Sequence, residues 1–146
     1  MMTVQYDFKL GDLCVKESKS SLGCLPLADL TEAQWEQFLR DTEEFSFTPE
    51  DRSAYNGRIS VFMVNDEDTI LGGLLVTASD REISVRGIAS FGYNDAAIYN
   101  DLVFWADYTA QKRFGPDTTV HISLPEDPVC IRILMEDTGY RAERTD

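Results

Sequence analysis

Residues 82–124 read EISVRGIASFGYNDAAIYNDLVFWADYTAQKRFGPDTTVHISL, and the change of period within them decides the fold. Glu82 to Ala89 is short and β-rich, a strand. After Phe91-Gly92-Tyr93-Asn94 the period becomes helical, with Ile98, Leu102, Trp105, Ala106 and Thr109 on one face of a helix predicted from about Asp95 to Phe114. Asn94 or Asp95 suits the N-cap, Lys112-Arg113 complement the negative end of the helix dipole, and Gly115-Pro116 stops the helix. From Thr118 to Leu124 the period returns to two, with Val120, Ile122 and Leu124 facing inward. A strand, a long helix and a second strand form a crossover connection, so the two strands are expected to run parallel as a β-α-β unit.

Upstream of this unit, Arg58–Val64, Thr69–Thr77 and Glu82–Ala89 are strands separated by Asn65-Asp66-Glu67-Asp68 and Ser79-Asp80-Arg81. Connections this short join only antiparallel neighbours, which predicts a three-stranded meander. Gly72-Gly73 inside the middle strand points to a bulge or a close backbone approach. Before the meander, Thr31 and Gln34 have capping-box spacing, and Leu30 and Trp35 have the spacing of a hydrophobic staple. A helix from Glu32 to about Glu43 follows, with Trp35, Phe38 and Leu39 as its buried stripe. At the N-terminus, Val4, Tyr6, Phe8 and Leu10 alternate with Gln5, Asp7 and Lys9, the pattern of a half-buried strand, and a shorter strand is expected at Leu13–Lys16. At the other end, Asp127 and Pro128 open a last helix that stops at Thr138-Gly139. The chain reads as one α/β (α+β) domain over 1–146, with an N-terminal strand and loop at 1–24 and a core at 25–140.

The chain carries 26 acidic and 13 basic residues, a formal charge of −13. A field of that sign repels phosphate backbones and anionic membrane surfaces, which excludes nucleic acid and membrane as partners; it would draw a small amine or a basic peptide, and solubility alone explains it equally well. No apolar run approaches the roughly 18–20 residues of a bilayer span, and Met1–Lys9 lacks the features of a signal peptide, so a cytoplasmic location is expected. Cys14, Cys24 and Cys130 have no C-x-x-C spacing, and His121 is the only histidine. Three reduced thiols and no metal site are therefore expected.

The order helix, meander, helix, strand, helix, closing on Gly139-Tyr140, resembles the GCN5-related N-acetyltransferases (GNAT), which move acyl groups from acyl-CoA to amines. Local stretches add to the resemblance. Leu25-Pro26-Leu27 before Leu30-Thr31-Glu32 is similar to that family's first strand and helix entry. Ile70 to Leu75 is similar to its third strand, Trp105-Ala106 leading to Phe114-Gly115 to the end of its cofactor-binding helix, and Leu134 to Tyr140 to its closing helix. The resemblance covers about Leu25 to Tyr140 and implies a cleft that holds acetyl-CoA beside the strand ending at Ala89-Ser90.

Family members hold the pyrophosphate with backbone amides in a Gln/Arg-x-x-Gly-x-Gly/Ala turn, where a helix N-terminus attracts phosphate. The matching stretch here is Ser90-Phe91-Gly92-Tyr93-Asn94-Asp95, with Ser90 in the leading position and Tyr93 and Asp95 in the two small positions. Asp95 brings a carboxylate to the phosphate position. Gly92, with Ala89 and Ser90, is the remaining candidate for backbone contact with the cofactor. The family's proton-donating tyrosine falls on Met135, the asparagine that often begins that helix is Pro128, and six residues follow Tyr140 in place of two closing strands. The strand at Val4–Leu10 is a candidate to fill that gap, in the same chain or in a homodimer partner.

No catalytic residue is assigned from the sequence. His121 alternates with inward Val120 and Ile122, so it faces the other side of the sheet, as a structural hydrogen-bonded residue or as a proton carrier. Glu82 and Arg86 read as exposed charges, and Tyr93 as a packing residue or proton donor. Ser84, Ser90 and Ser123 lack the G-x-S-x-G context of a serine nucleophile. Two functions stand side by side: an acetyl-CoA-dependent N-acetyltransferase, or a non-catalytic module of the same fold that has lost the cofactor.

Overall fold

In a computed structural model, residues 3–12, 23–44, 49–91, 95–125 and 143–145 are described. They form seven strands, β1 (Thr3–Lys9), β2 (Gly23–Pro26), β3 (Val61–Val64), β4 (Ile70–Ala78), β5 (Glu82–Ser90), β6 (Thr119–Pro125) and β7 (Glu143–Thr145), and two α-helices, α1 (Glu32–Asp41) and α2 (Asp95–Arg113). The strand expected at 13–16 and the helix expected after Pro128 lie outside the described residues.

All seven strands join one sheet in the order β2-β3-β4-β5-β6-β1-β7. The predicted meander is β3-β4-β5, antiparallel throughout, with β2 added antiparallel at its edge. The predicted β-α-β unit is β5-α2-β6, and β5 and β6 pair in parallel. Beyond β6, the N-terminal strand pairs antiparallel with β6 from Thr3↔Pro125 to Lys9↔Thr119, and β7 pairs with its other side. The gap beside β6 is thus filled from within the same chain. The mixed sheet with its antiparallel meander and parallel unit is the α+β architecture expected from the sequence.

Side chains alternate across the sheet and divide the core into two layers. Val61 and Met63 of β3 point to the face covered by α2, where Leu74, Val76, Ile83, Val85 and Ile88 meet Ile98, Leu102 and Ala106. Phe62 and Val64 point to the opposite face, against Trp35 and Phe38 of α1. There, Phe38 and Phe62 meet edge to face with centroids 5.0 Å apart, a favoured arrangement of the two ring quadrupoles. The capping box of α1 is complete: Gln34 N donates to Thr31 Oγ1 at 3.1 Å, and Thr31 N donates to Gln34 Oε1 at 3.0 Å. Leu30 and Trp35 are both buried, as the staple spacing predicts.

Two bulges keep this division in phase. Met63 pairs with Gly72 but Val64 with Ile70, so Leu71 is an extra residue on β4. That single insertion puts Ile70 on the α1 face and Leu74 on the α2 face despite their even spacing. Gly72 and Gly73 are also sites of close approach. A Cβ at Gly73 would lie 2.6 Å from Phe62 Cε1 and 2.7 Å from Phe38 Cε1, and one at Gly72 would lie 2.7 Å from Ile98 Cγ2. The second bulge is on β5: Leu75 pairs with Gly87 and Val76 with Val85, leaving Arg86 as the extra residue.

The strand containing Val61 starts later than its β-rich composition suggests. Asn56 Oδ1 accepts from the backbone of Arg58 and Ile59, both at 3.0 Å, and holds that segment in a turn. An asparagine side chain that bonds its own downstream backbone competes with the ladder at this point.

Candidate active site at the strand fork

The β5–β6 pairing begins at Glu82↔Thr119 and ends at Val85↔Ile122. Both strands continue, β5 to Ser90 and β6 to Pro125, so they part after Val85. The Arg86 bulge falls at the same residue on the β4 side of β5. A bulge bends the strand that carries it and increases its twist, which is the geometry that turns β5 away from β6. From Arg86 onward β5 keeps its ladder with β4 and has no ladder with β6. Among the described residues the Arg86–Ser90 edge has no strand ladder on its β6 side, and Gly87 to Ser90 are buried.

Ala89 and Ser90 end this strand and pair with Gly73 and Gly72. Both are buried, Ala89 fully, and Phe91 N donates to Leu71 O at 2.7 Å, which anchors the chain as it leaves the sheet. The helix begins at Asp95, five residues after Ser90, in the order the sequence implies. Gly92, with Tyr93 and Asn94, lies outside the described residues, as do Cys14, Cys130, Pro128 and Met135.

Directly below the fork, on the face away from α2, three ionisable side chains from three strands converge. His121 of β6 lies opposite Asp7 of β1 and opposite Ser84 of β5. Its Nδ1 is hydrogen-bonded to Asp7 Oδ1, and its Nε2 is 3.8 Å from Glu82 Oε1. The imidazole is 40% exposed, so water and solutes reach it. An Nδ1–H donated to a carboxylate leaves Nε2 as a lone-pair acceptor. Glu82 and Arg86 are exposed, as read from the sequence. Asp7 was not singled out there: it is one of three polar alternates in β1, and only the β1–β6 register brings it to His121.

On the other face, α2 carries two carboxyl groups that the sequence did not flag, Asp101 and Asp107. Asp101 is 2% exposed, and its Oδ2 has no hydrogen-bond partner among the described residues. The free thiol of Cys24 in β2 is pushed up to about 12, first by burial and then by the negative charge of Asp101. Cys24 is therefore a protonated thiol at neutral pH and a poor nucleophile. Asp107 is raised above the ordinary carboxyl range by burial, against the lowering effect of its hydrogen bond from Gln111. Asp107 borders a small cavity of about 50 Å³ lined otherwise by apolar side chains such as Leu74, Val85 and Ile122. Among the described residues no group of three or more His, Cys, Asp or Glu is placed to hold a metal ion, and no helix is long and apolar enough to cross a membrane.

This fold is shared with solved structures of GCN5-related N-acetyltransferases. The chain is similar to a GCN5-related N-acetyltransferase from Kribbella flavida, with a TM-score of 0.64 and 16% identity over 99% of this chain and 55% of that one. A GCN5-related N-acetyltransferase from Sphaerobacter thermophilus superposes with a TM-score of 0.60 and 12% identity over 97% of this chain and 48% of that one. A probable N-acyltransferase from Enterococcus faecalis V583 gives 0.60 and 12%, over 98% of this chain and 37% of that one. The present chain thus spans about half or less of the length of these three structures. No protein-family model matches the sequence, and no curated protein does.

Proposed function

We propose that the chain is an acyl-CoA-dependent N-acyltransferase acting on a cationic amine. The observation that carries this reading is the fork itself: β5 leaves β6 after Val85 and bulges at Arg86, and His121, bonded to Asp7, stands on β6 one residue before the parting. Edge amides of a fixed strand are preorganised donors for a carbonyl that gains negative charge. Backbone groups of the Arg86–Ser90 edge, those of Ala89 and Ser90 among them, would hold acetyl-CoA, with Gly92 a further candidate from the sequence. Bound there, acetyl-CoA supplies an activated acyl thioester whose carbonyl carbon bonds to the amine nitrogen while the carbon–sulfur bond breaks.

The protein's own groups do the rest. Asp7 and Glu82 place two carboxylates around His121 and attract an ammonium group. Nε2 of His121 takes one ammonium proton, which frees the nitrogen lone pair for attack, and Asp7 stabilises the imidazolium formed. The second nitrogen-bound proton leaves with the departing thiolate as free thiol, and His121 returns its proton to water. The net charge of −13 favours cationic acceptors such as polyamines or basic N-termini.

One observation favours a second reading, a binding module without catalysis. Helix α2 starts at Asp95, and a carboxylate residue in that position opposes the phosphate attraction of a helix N-terminus. The experiment that separates the two measures free-thiol release from acetyl-CoA with spermidine as acceptor. Turnover that falls about 10²-fold in His121→Gln and in Asp7→Asn, with acetyl-CoA binding retained, supports the transferase. Absence of both acetyl-CoA binding and turnover in the unsubstituted chain supports the module.

A further inference from the structure

A groove of about 550 Å³ runs between α2 and the β2–β3 edge of the sheet, remote from the fork. Its floor and walls are Pro26, Val61, Trp105 and Tyr108, and Arg58 and Arg113 stand on its rim. Tyr108 is 48% exposed, unusual for a large ring among the described residues. It belongs to a three-ring cluster: Trp105 meets Phe104 edge to face at 5.2 Å and Tyr108 at 5.7 Å, and Phe104 stacks on Tyr108 at 6.4 Å. Lys112 Nζ sits 4.1 Å above the Tyr108 ring and adds a third cation.

The charge of this site opposes that of the chain. Acids outnumber bases by 26 to 13 overall, yet among the described residues no carboxylate lines the groove. Neither Arg58 nor Arg113 is in an ion pair among the described residues. Unpaired arginines beside exposed aromatic rings are the composition of the energetic centre of protein interfaces. Guanidinium forks bind carboxylates with two parallel hydrogen bonds.

We propose that this groove docks an acidic peptide segment carrying one aromatic or large apolar side chain. The apolar side chain seats between Trp105, Tyr108 and Pro26, and flanking carboxylates pair with Arg58 and Arg113. The size of the patch selects a short segment. Beyond roughly 8–10 Å the acidic remainder of the surface is screened at physiological salt, so a peptide confined to the groove meets the local cations. A nucleic acid long enough to leave the groove meets repulsion.

The test uses the full chain and a capped peptide of glutamates around a central phenylalanine, followed by amide chemical shifts. The expected result is saturable shifts centred on Arg58, Trp105 and Tyr108, weakened by salt and at least about tenfold in Arg58→Glu with Arg113→Glu. Both arginines are exposed, and an unchanged melting curve confirms that the double variant folds. A glutamate-to-lysine version of the peptide should fail on the native chain. No shifts at millimolar peptide, shifts elsewhere, or equal binding of the lysine version overturns the proposal. So does concentration-dependent dimerisation in sedimentation that the double variant abolishes, because the occupant is then a second copy of the chain.

Discussion

Gly73 and Asp107 show how single positions report on the packing. Gly73 faces two buried rings, and its missing Cβ would lie within 2.7 Å of both. Phe38 and Phe62 are fully buried and fixed by mutual contact, so neither ring has room to yield. Gly73→Ala is expected to cost about 1–3 kcal/mol, as overpacking does, measured by urea denaturation with both proteins at the same pH. Asp107 has a folded-state pKa above its unfolded one because burial disfavours its charge. The native state therefore holds this proton more tightly than the unfolded state, and the group costs stability once pH rises above the unfolded carboxyl value. Asp107→Asn keeps an acceptor for Gln111 and removes the charge. It should raise stability at pH 7 by under about 1 kcal/mol, since the group is partly solvated. The difference should vanish in acid, below the carboxyl range. A gain that persists unchanged at low pH would contradict the electrostatic origin.

At the scale of elements, what the sequence discloses follows the range of the interactions. Helix α1 was legible to its cap because Thr31, Gln34, Leu30 and Trp35 are all within one turn of its start. The meander and the β5-α2-β6 crossover were legible because connection length restricts strand direction. Gly72-Gly73 signalled both a bulge and a close approach, and both are present beside one another. The Arg86 bulge had no local signal: it is visible only as the change of register between β4 and β5. Likewise, the alternation of Val4 to Leu10 predicted a strand but not its neighbours. Its place between β6 and β7 comes from pairing over more than a hundred residues, and that pairing delivers Asp7 to His121. Amide hydrogen exchange checks this directly. Residues within Thr3–Lys9 should be protected like those of β6, and exchange at the rate of open loops would remove β1 from the sheet.

For the whole molecule, the fold is better determined than the chemistry it performs. Structures with this architecture share 12–16% identity with the chain in the three cases above, and one architecture can host different functions. The function therefore rests on what the fork can hold. The position of Ala89 and Ser90 at the end of the strand before α2 was readable from the order of elements. The Asp7–His121–Glu82 cluster was not, because its members are separated by most of the chain. Asp95 at the head of α2 is the residue that argues against phosphate binding, and it is set against an intact splayed strand pair. Titration of acetyl-CoA into the full chain by calorimetry weighs these two features against each other. Dissociation in the micromolar range is the predicted result, with no such heat when inorganic phosphate alone is supplied. No heat with millimolar acetyl-CoA would contradict the account.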